Sequence, residues 1–252
     1  MSRVIRLTEQ DLSKLIGMVI NEDYKSIFSM KTKLYDDLEK TLNDLSSKYD
    51  DEPSLMLIKE LKDKVSYHRR EASKEALANK IFQSSKESND GILSVTFKSF
   101  NDNWDSVLSA MKGKPFRIID GLDLMNKNIT SLGNLKSVSG HMHIGNARID
   151  DETLGKLTSV DGSFTIEYTT VKSLGDLRSV RGRLSIGRSG ITSLGKLESV
   201  GRDLDLKESK VEDLGNLKIV GGDFNLKGTP LSKKYSEKQI RDIVDVKGKI
   251  RI

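Results

Sequence analysis

Apolar residues in the second half of this chain recur on a short, regular beat. Leu-Gly-x-Leu stands at Leu132, Leu154, Leu174, Leu194 and Leu214, at separations of 22, 20, 20 and 20 residues. Between those marks run apolar-x-apolar pairs at Leu122/Leu124, Met142/Ile144, Phe164/Ile166, Leu184/Ile186, Leu204/Leu206, Phe224/Leu226 and Ile250/Ile252. Period-two alternation puts both members of a pair on one side of a strand and the residue between them on the other. Self-similarity at 20 to 29 residues marks a solenoid, in which each unit buries its apolar edge only against its neighbours. A unit this short leaves no room for a long helix. The repeats therefore predict a thin, parallel β-solenoid with about seven strands, its return side made of turns.

The first half has a different period. Residues 22–49 contain neither proline nor glycine and place Ile27, Leu34, Leu38, Leu42 and Leu45 at helical steps. Asp50-Asp51-Glu52-Pro53 breaks that helix, and a second follows over about 54–85 with the stripe Ile58, Leu61, Val65, His68, Ala72 and Ala76, close to a coiled-coil heptad. Two such helices joined by a short turn pack antiparallel as an arm about 42 Å long. Their thin stripes call for a partner. Ser84 to Gly91 is polar and turn-rich, and Ile92 to Phe97 has the composition of a strand. Trp104, Val107, Leu108 and Met111 follow at helical spacing, so this stretch is expected to cap the first repeat. Ser236-Glu237-Lys238-Gln239 has the form of a capping box ahead of Ile240, Ile243 and Val244, and is expected to start a helix that closes the far end.

The fold class expected is therefore α+β: an N-terminal helical hairpin followed by the solenoid. The segments are a docking helix over 1–21, a helical hairpin or coiled-coil arm over 22–90, a cap over 91–115, the solenoid over 116–231 and a C-terminal cap over 232–252.

Leu184-x-Ile186-x-x-Ser189-x-Ile191 resembles the leucine-rich-repeat core L-x-L-x-x-N-x-L, over roughly residues 116–252. The family's asparagine is replaced by Lys127, Ala147, Thr169, Ser189, Ser209 and Thr229. A hydroxyl can make only part of an amide ladder. Family-like stacking and a related short-repeat β-solenoid both remain open.

At the N-terminus, Val4-Ile5-Arg6-Leu7-Thr8-Glu9-Gln10-Asp11-Leu12 resembles the I-R-L-T-E-x-D-L opening found among proteins of tailed bacteriophages. Thr8 can cap the helix, Glu9 and Asp11 complement its dipole, and Leu12, Leu15, Ile16 and Val19 share one apolar face. That face either packs on the hairpin or serves as a docking tag. The tail from Pro230 to Glu237 also resembles the ends of short-repeat phage proteins. These resemblances imply a noncatalytic virion component, with other virion proteins as partners, self-association through the helices, and a location in the particle or in the host cytoplasm. A phage-encoded protein that binds a host partner is the alternative.

Composition narrows the chemistry. The chain has 252 residues, 31% of them charged, and no cysteine. It contains no apolar run near the roughly 20 residues of a membrane span. Residues 1–115 hold 19 Lys/Arg against 19 Asp/Glu and residues 116–252 hold 23 against 18, too even a spread for the concentrated basic stripe that tracks phosphates. No membrane and no nucleic acid are expected as partners. No Walker loop, nucleophile elbow or zinc spacing occurs, and no cofactor or enzyme activity is expected. The one chemically suggestive group is His141 and His143, two apart on a strand, with Asp123 on the neighbouring strand; two imidazoles and a carboxylate could hold an ion, but surface histidines are the plainer reading, and a metal-dependent enzyme ranks third after the two interaction roles. The outward residues Asp123, His143, Thr165, Ser185, Asp205, Asn225 and Arg251 should form one row about 29 Å long and carry partner binding.

Overall fold

The computed structural model of the chain describes residues 24–48, 50, 52–96, 104–149 and 154–252. They divide into two compact units, Met1–Leu77 and Ala78–Ile252. In the first, α1 (Tyr24–Ser46) and α2 (Glu52–Ser84) make the helical pair. Its core is a small cluster in which Tyr35, Leu42 and Val65 are buried and Leu38, Leu45, Leu61 and Ala72 are partly covered. Tyr35 is the member that the leucine stripe did not mark. The guanidinium of Arg69 donates to Asp36 and Glu39 of α1, both at 2.8 Å, which holds the antiparallel register. Leu55, Met56, Leu57 and Tyr67 of α2 remain exposed. The docking-helix residues Leu12, Leu15, Ile16 and Val19, like the side chain of Ile27, lie outside the described residues.

The second unit is a parallel β-solenoid preceded by the last turns of α2. Seven strands, Leu122–Asp123, Met142–His143, Phe164–Thr165, Leu184–Ser185, Leu204–Asp205, Phe224–Asn225 and Ile250–Arg251, form one sheet in chain order. These are the seven apolar-x-apolar strands of the sequence. Their inward residues from Leu122 to Leu226 are at most 1% exposed. Ile252 departs from the pattern and is 42% exposed, since among the described residues the last strand stands at the edge of its sheet with no coil over it.

Each repeat also contributes a strand that the alternation did not indicate. Lys86–Glu87, Leu93–Val95, Phe116–Ile118, Leu135–Val138, Ser159–Val160, Ser179–Val180, Ser199–Val200, Ile219–Val220 and Asp245–Val246 make a nine-stranded sheet, parallel except at its first pair. From Ser159 to Val220 these strands hold two residues and one buried valine each, too little to register as a period of two. One coil is thus strand, sharp turn, strand and a return side of turns. On that return side Asn128–Ile129 pairs with Arg148–Ile149 and Ser193 bridges Asp213.

Glycines make the coils fit. Gly215, in Leu-Gly-x-Leu, has φ +54°, and a Cβ there would lie 2.3 Å from the carbonyl oxygen of Gly195. It therefore needs both the left-handed backbone and the missing side chain. A Cβ on Gly201 would lie 2.1 Å from Arg181 O. The hydroxyls at the asparagine-ladder position work within their own coil: Thr169, Ser189 and Thr229 donate to Ile166, Ile186 and Leu226 carbonyls at 3.0, 2.7 and 2.7 Å. Each side chain is buried and satisfied locally, so the coil-to-coil bonds there are left to the backbone.

Helix α3 (Trp104–Met111) lies at the start of the stack. Trp104 is 3% exposed, donates its Nε1 proton to Ser131 O at 2.8 Å and rests against Phe116. At the other end are α4 (Pro230–Lys234), capped by Thr229, and α5 (Glu237–Ile243), which begins with the Ser236/Gln239 capping box. Leu231, Ile240 and Val244, all 0% exposed, seal the last coil.

Candidate binding face

Parallel pairing without slippage puts Asp123, His143, Thr165, Ser185, Asp205, Asn225 and Arg251 side by side across the seven-stranded sheet. Six strand spacings make the row about 29 Å long. Tertiary contacts then divide it into unequal halves.

In the C-terminal half the side chains are committed to the fold. Asp205 accepts from Lys207 N at 3.1 Å, from Asn225 Nδ2 at 3.1 Å and from Arg183 Nη2 at 2.7 Å. Asn225 accepts from Lys227 N at 3.3 Å, and Arg251 donates to Asp223 at 2.8 Å. Ser185 is only 5% exposed and donates to Glu167. The alternation rule places its side chain outward, yet the Glu167 carboxylate from the previous coil covers it.

In the N-terminal half the situation differs. Asp123 accepts from Met125 N at 3.0 Å, which shapes the turn after its strand. His143 and Thr165 are half-buried and, among the described residues, their side chains make no hydrogen bond within the chain. His143 lies over Gly145, where a Cβ would meet its Nε2 at 2.8 Å. Met125, 42% exposed, and Tyr168, 53% exposed, flank this half of the row. Methionine and tyrosine are among the residues enriched at protein interfaces.

The metal set does not assemble. His141 turns its Nδ1 to accept from Ser163 N at 2.9 Å, and among the described residues no three of His, Asp or Glu gather to hold an ion.

Beside the face, one column of turn residues is held in the left-handed region without glycine: Asn126, Asn146, Tyr168, Arg188 and Glu208, with φ between +54° and +58°. Such backbone is unfavourable for L-residues. Coil-to-coil stacking accompanies it: Asn146 donates to Asn126 at 2.7 Å, and Arg188 bridges Tyr168 to Glu208, its Nε 2.7 Å from the Glu208 carboxylate. The Arg188 hydrogen bond holds the Glu208 carboxyl below its ordinary value. Lys196 does the same to Asp176 from 2.7 Å, and the Ser193 hydroxyl does it to Asp213. These ladders are exposed, so they align the coils more than they hold them together.

On the return side lies an open cleft of about 460 Å³, lined by Thr169, Thr170, Lys172, Gly190, Thr192 and Lys210. Gly190 lines it one coil after Thr170 and one coil before Lys210, which stand at the same position in their repeats. A glycine out of step with its column was the one sequence signal for it.

Compared with known proteins, the chain matches no family model, no curated protein and no solved structure. Among the described residues no helix is long and apolar enough to cross a membrane.

Proposed function

We propose that this chain is a noncatalytic interaction protein of a bacteriophage particle, whose helical part serves assembly and whose solenoid presents a binding surface. The observation that carries the interaction role is the in-register row from Asp123 to Arg251 with its uncommitted segment at His143 and Thr165. A stack of similar coils offers an extended surface, and polar groups without an internal partner are those free to pair with another molecule. Met125 and Tyr168 supply the apolar contact area beside them. The virion assignment draws on the phage-type opening from Val4 to Leu12 and the tail from Pro230 to Glu237. The leucine-rich-repeat likeness of Leu184 to Ile191 fits the same role.

Thr165→Arg in the full chain tests the face. Placed in the free half of the row, a long cation should lower partner capture by about tenfold or more, a cost of about 1.4 kcal/mol, with an unchanged melting temperature. Reversing Asp205 is a poorer probe, because it also breaks three internal hydrogen bonds. Undiminished capture by the Thr165 variant would move the interface off this face. Mass spectrometry of purified particles tests the location: a stoichiometric chain supports a virion component. A chain absent from particles but captured with a host protein would make it an intracellular binding protein instead.

A further inference from the structure

Two series of backbone bonds at the nine-stranded sheet run from an N–H of one coil to a carbonyl of the coil before. The carbonyls of Val138, Val160, Val180, Val200 and Val220 accept at 2.9, 3.0, 2.8, 2.8 and 3.0 Å, each from the coil that follows. One turn further along, the carbonyls of Asp120, Gly140, Gly162, Gly182, Arg202 and Gly222 do the same at 3.0 to 3.2 Å. The next acceptors in the two series are Val246 O and Gly248 O. Among the described residues no coil follows them. Instead Arg241 of α5 reaches across with Nη1 2.8 Å from Val246 O and Nη2 3.0 Å from Gly248 O. Its Nε and Nη2 also donate to Glu237, at 3.1 and 3.0 Å, which anchors the guanidinium.

We infer that Arg241 is the terminator of the solenoid: its planar fork occupies the two acceptor positions that another coil's N–H groups would take, and so keeps the nine-stranded edge from adding a strand of a second copy of this chain. The distances match those of the ladder, and a guanidinium presents several donors in one rigid plane. An unblocked edge is a template for pairing with another chain, and a charged side chain laid along it is a means of preventing that. The neighbouring edge shows the contrast. At the last strand of the seven-stranded sheet the N–H groups of Ile250 and Ile252 continue a donor series that ran through Phe224 and Leu226. Among the described residues no acceptor lies opposite them. A second copy that engaged both edges would continue the stack, and Arg241 blocks one of the two.

The test compares sedimentation of the full-length protein with that of Arg241→Ala over a range of concentrations, with circular dichroism on the same samples. The expected result is a β-rich variant that forms species larger than the parent's, growing with concentration. A folded variant that sediments like the parent at every concentration would overturn the inference. Should Arg241→Ala lose its β signal, Arg241→Gln, which keeps a shorter single amide donor, is read against the same two outcomes. Glu237→Ala leaves the guanidinium in place but unanchored, and should fall between parent and Arg241→Ala.

Discussion

The helical pair and the solenoid solve the problem of burial in opposite ways. In the pair, two long helices share one narrow seam whose fully covered cluster is Tyr35, Leu42 and Val65. Most of each helix surface faces water, and Met56 and Leu57 are 70% and 59% exposed. In the solenoid, each coil sends leucine, isoleucine, valine or phenylalanine inward from several positions, and columns such as Leu154, Leu174 and Leu194 are 0 to 1% exposed. Repetition is what makes the difference. Every added coil covers the one before it, whereas extending a two-helix seam adds area that is still half wet. The solenoid thus carries a continuous core of its own, while the pair leaves most of its surface to water.

The largest effect should come from breaking a column. Leu194→Ala removes a side chain with no exposure, and should cost about 2–5 kcal/mol in urea unfolding of the full chain. Leu42→Ala in the seam should lower the helical signal while leaving the solenoid's transition where it was. A shared loss in both transitions would mean that the two units unfold as one.

A smaller and more discriminating effect separates two glycines of similar backbone. Gly215 and Gly113 both have positive φ, but a Cβ on Gly113 meets nothing within 4 Å while one on Gly215 runs into Gly195 O. Gly113→Ala should therefore cost about 1 kcal/mol for backbone strain alone, and Gly215→Ala clearly more. Equal costs would show that close approach between coils is not what limits that position.

The smallest effects should appear with pH, at opposite ends of the scale for the two units. Asp176, Glu208 and Asp213 in the solenoid have lowered folded-state values, through bonds from Lys196, Arg188 and Ser193 respectively. What they contribute is complete above their unfolded values of about 4 and is lost as pH falls through the lower folded ones. Tyr35, in the helical seam, is shifted the other way, because burial disfavours its phenolate. Its contribution is complete below about pH 10 and is lost as pH rises through the higher folded value. Thermal melts followed at a helical and a β wavelength should show acid lowering the solenoid transition first and alkali lowering the helical one. The reverse order would break the assignment.

Periodicity alone made much of this legible. The 20-residue beat determined the stacking, the period of two determined which residues of the seven-stranded sheet point inward, and the capping box at Ser236 marked α5. The register of the outward row follows from the alternation within each strand, since a slip of one residue would turn its buried side chains to solvent; it holds even where the step lengthens to 22 residues between Met142 and Phe164 and to 26 between Phe224 and Ile250. Two things escaped because they are not periodic in the chain. A two-residue strand with one valine carries no alternation, so the nine-stranded sheet emerged only when backbones were laid side by side. Ser185 reads as outward by position, but its cover comes from Glu167 in another coil. Which half of the row is free, and that Arg241 stands in for a missing coil, are relations between residues brought together by folding. Sequence determined the repeat because local pattern and chain geometry suffice for it; tertiary structure decided the surface because hydrogen-bond partners are chosen in space, not along the chain.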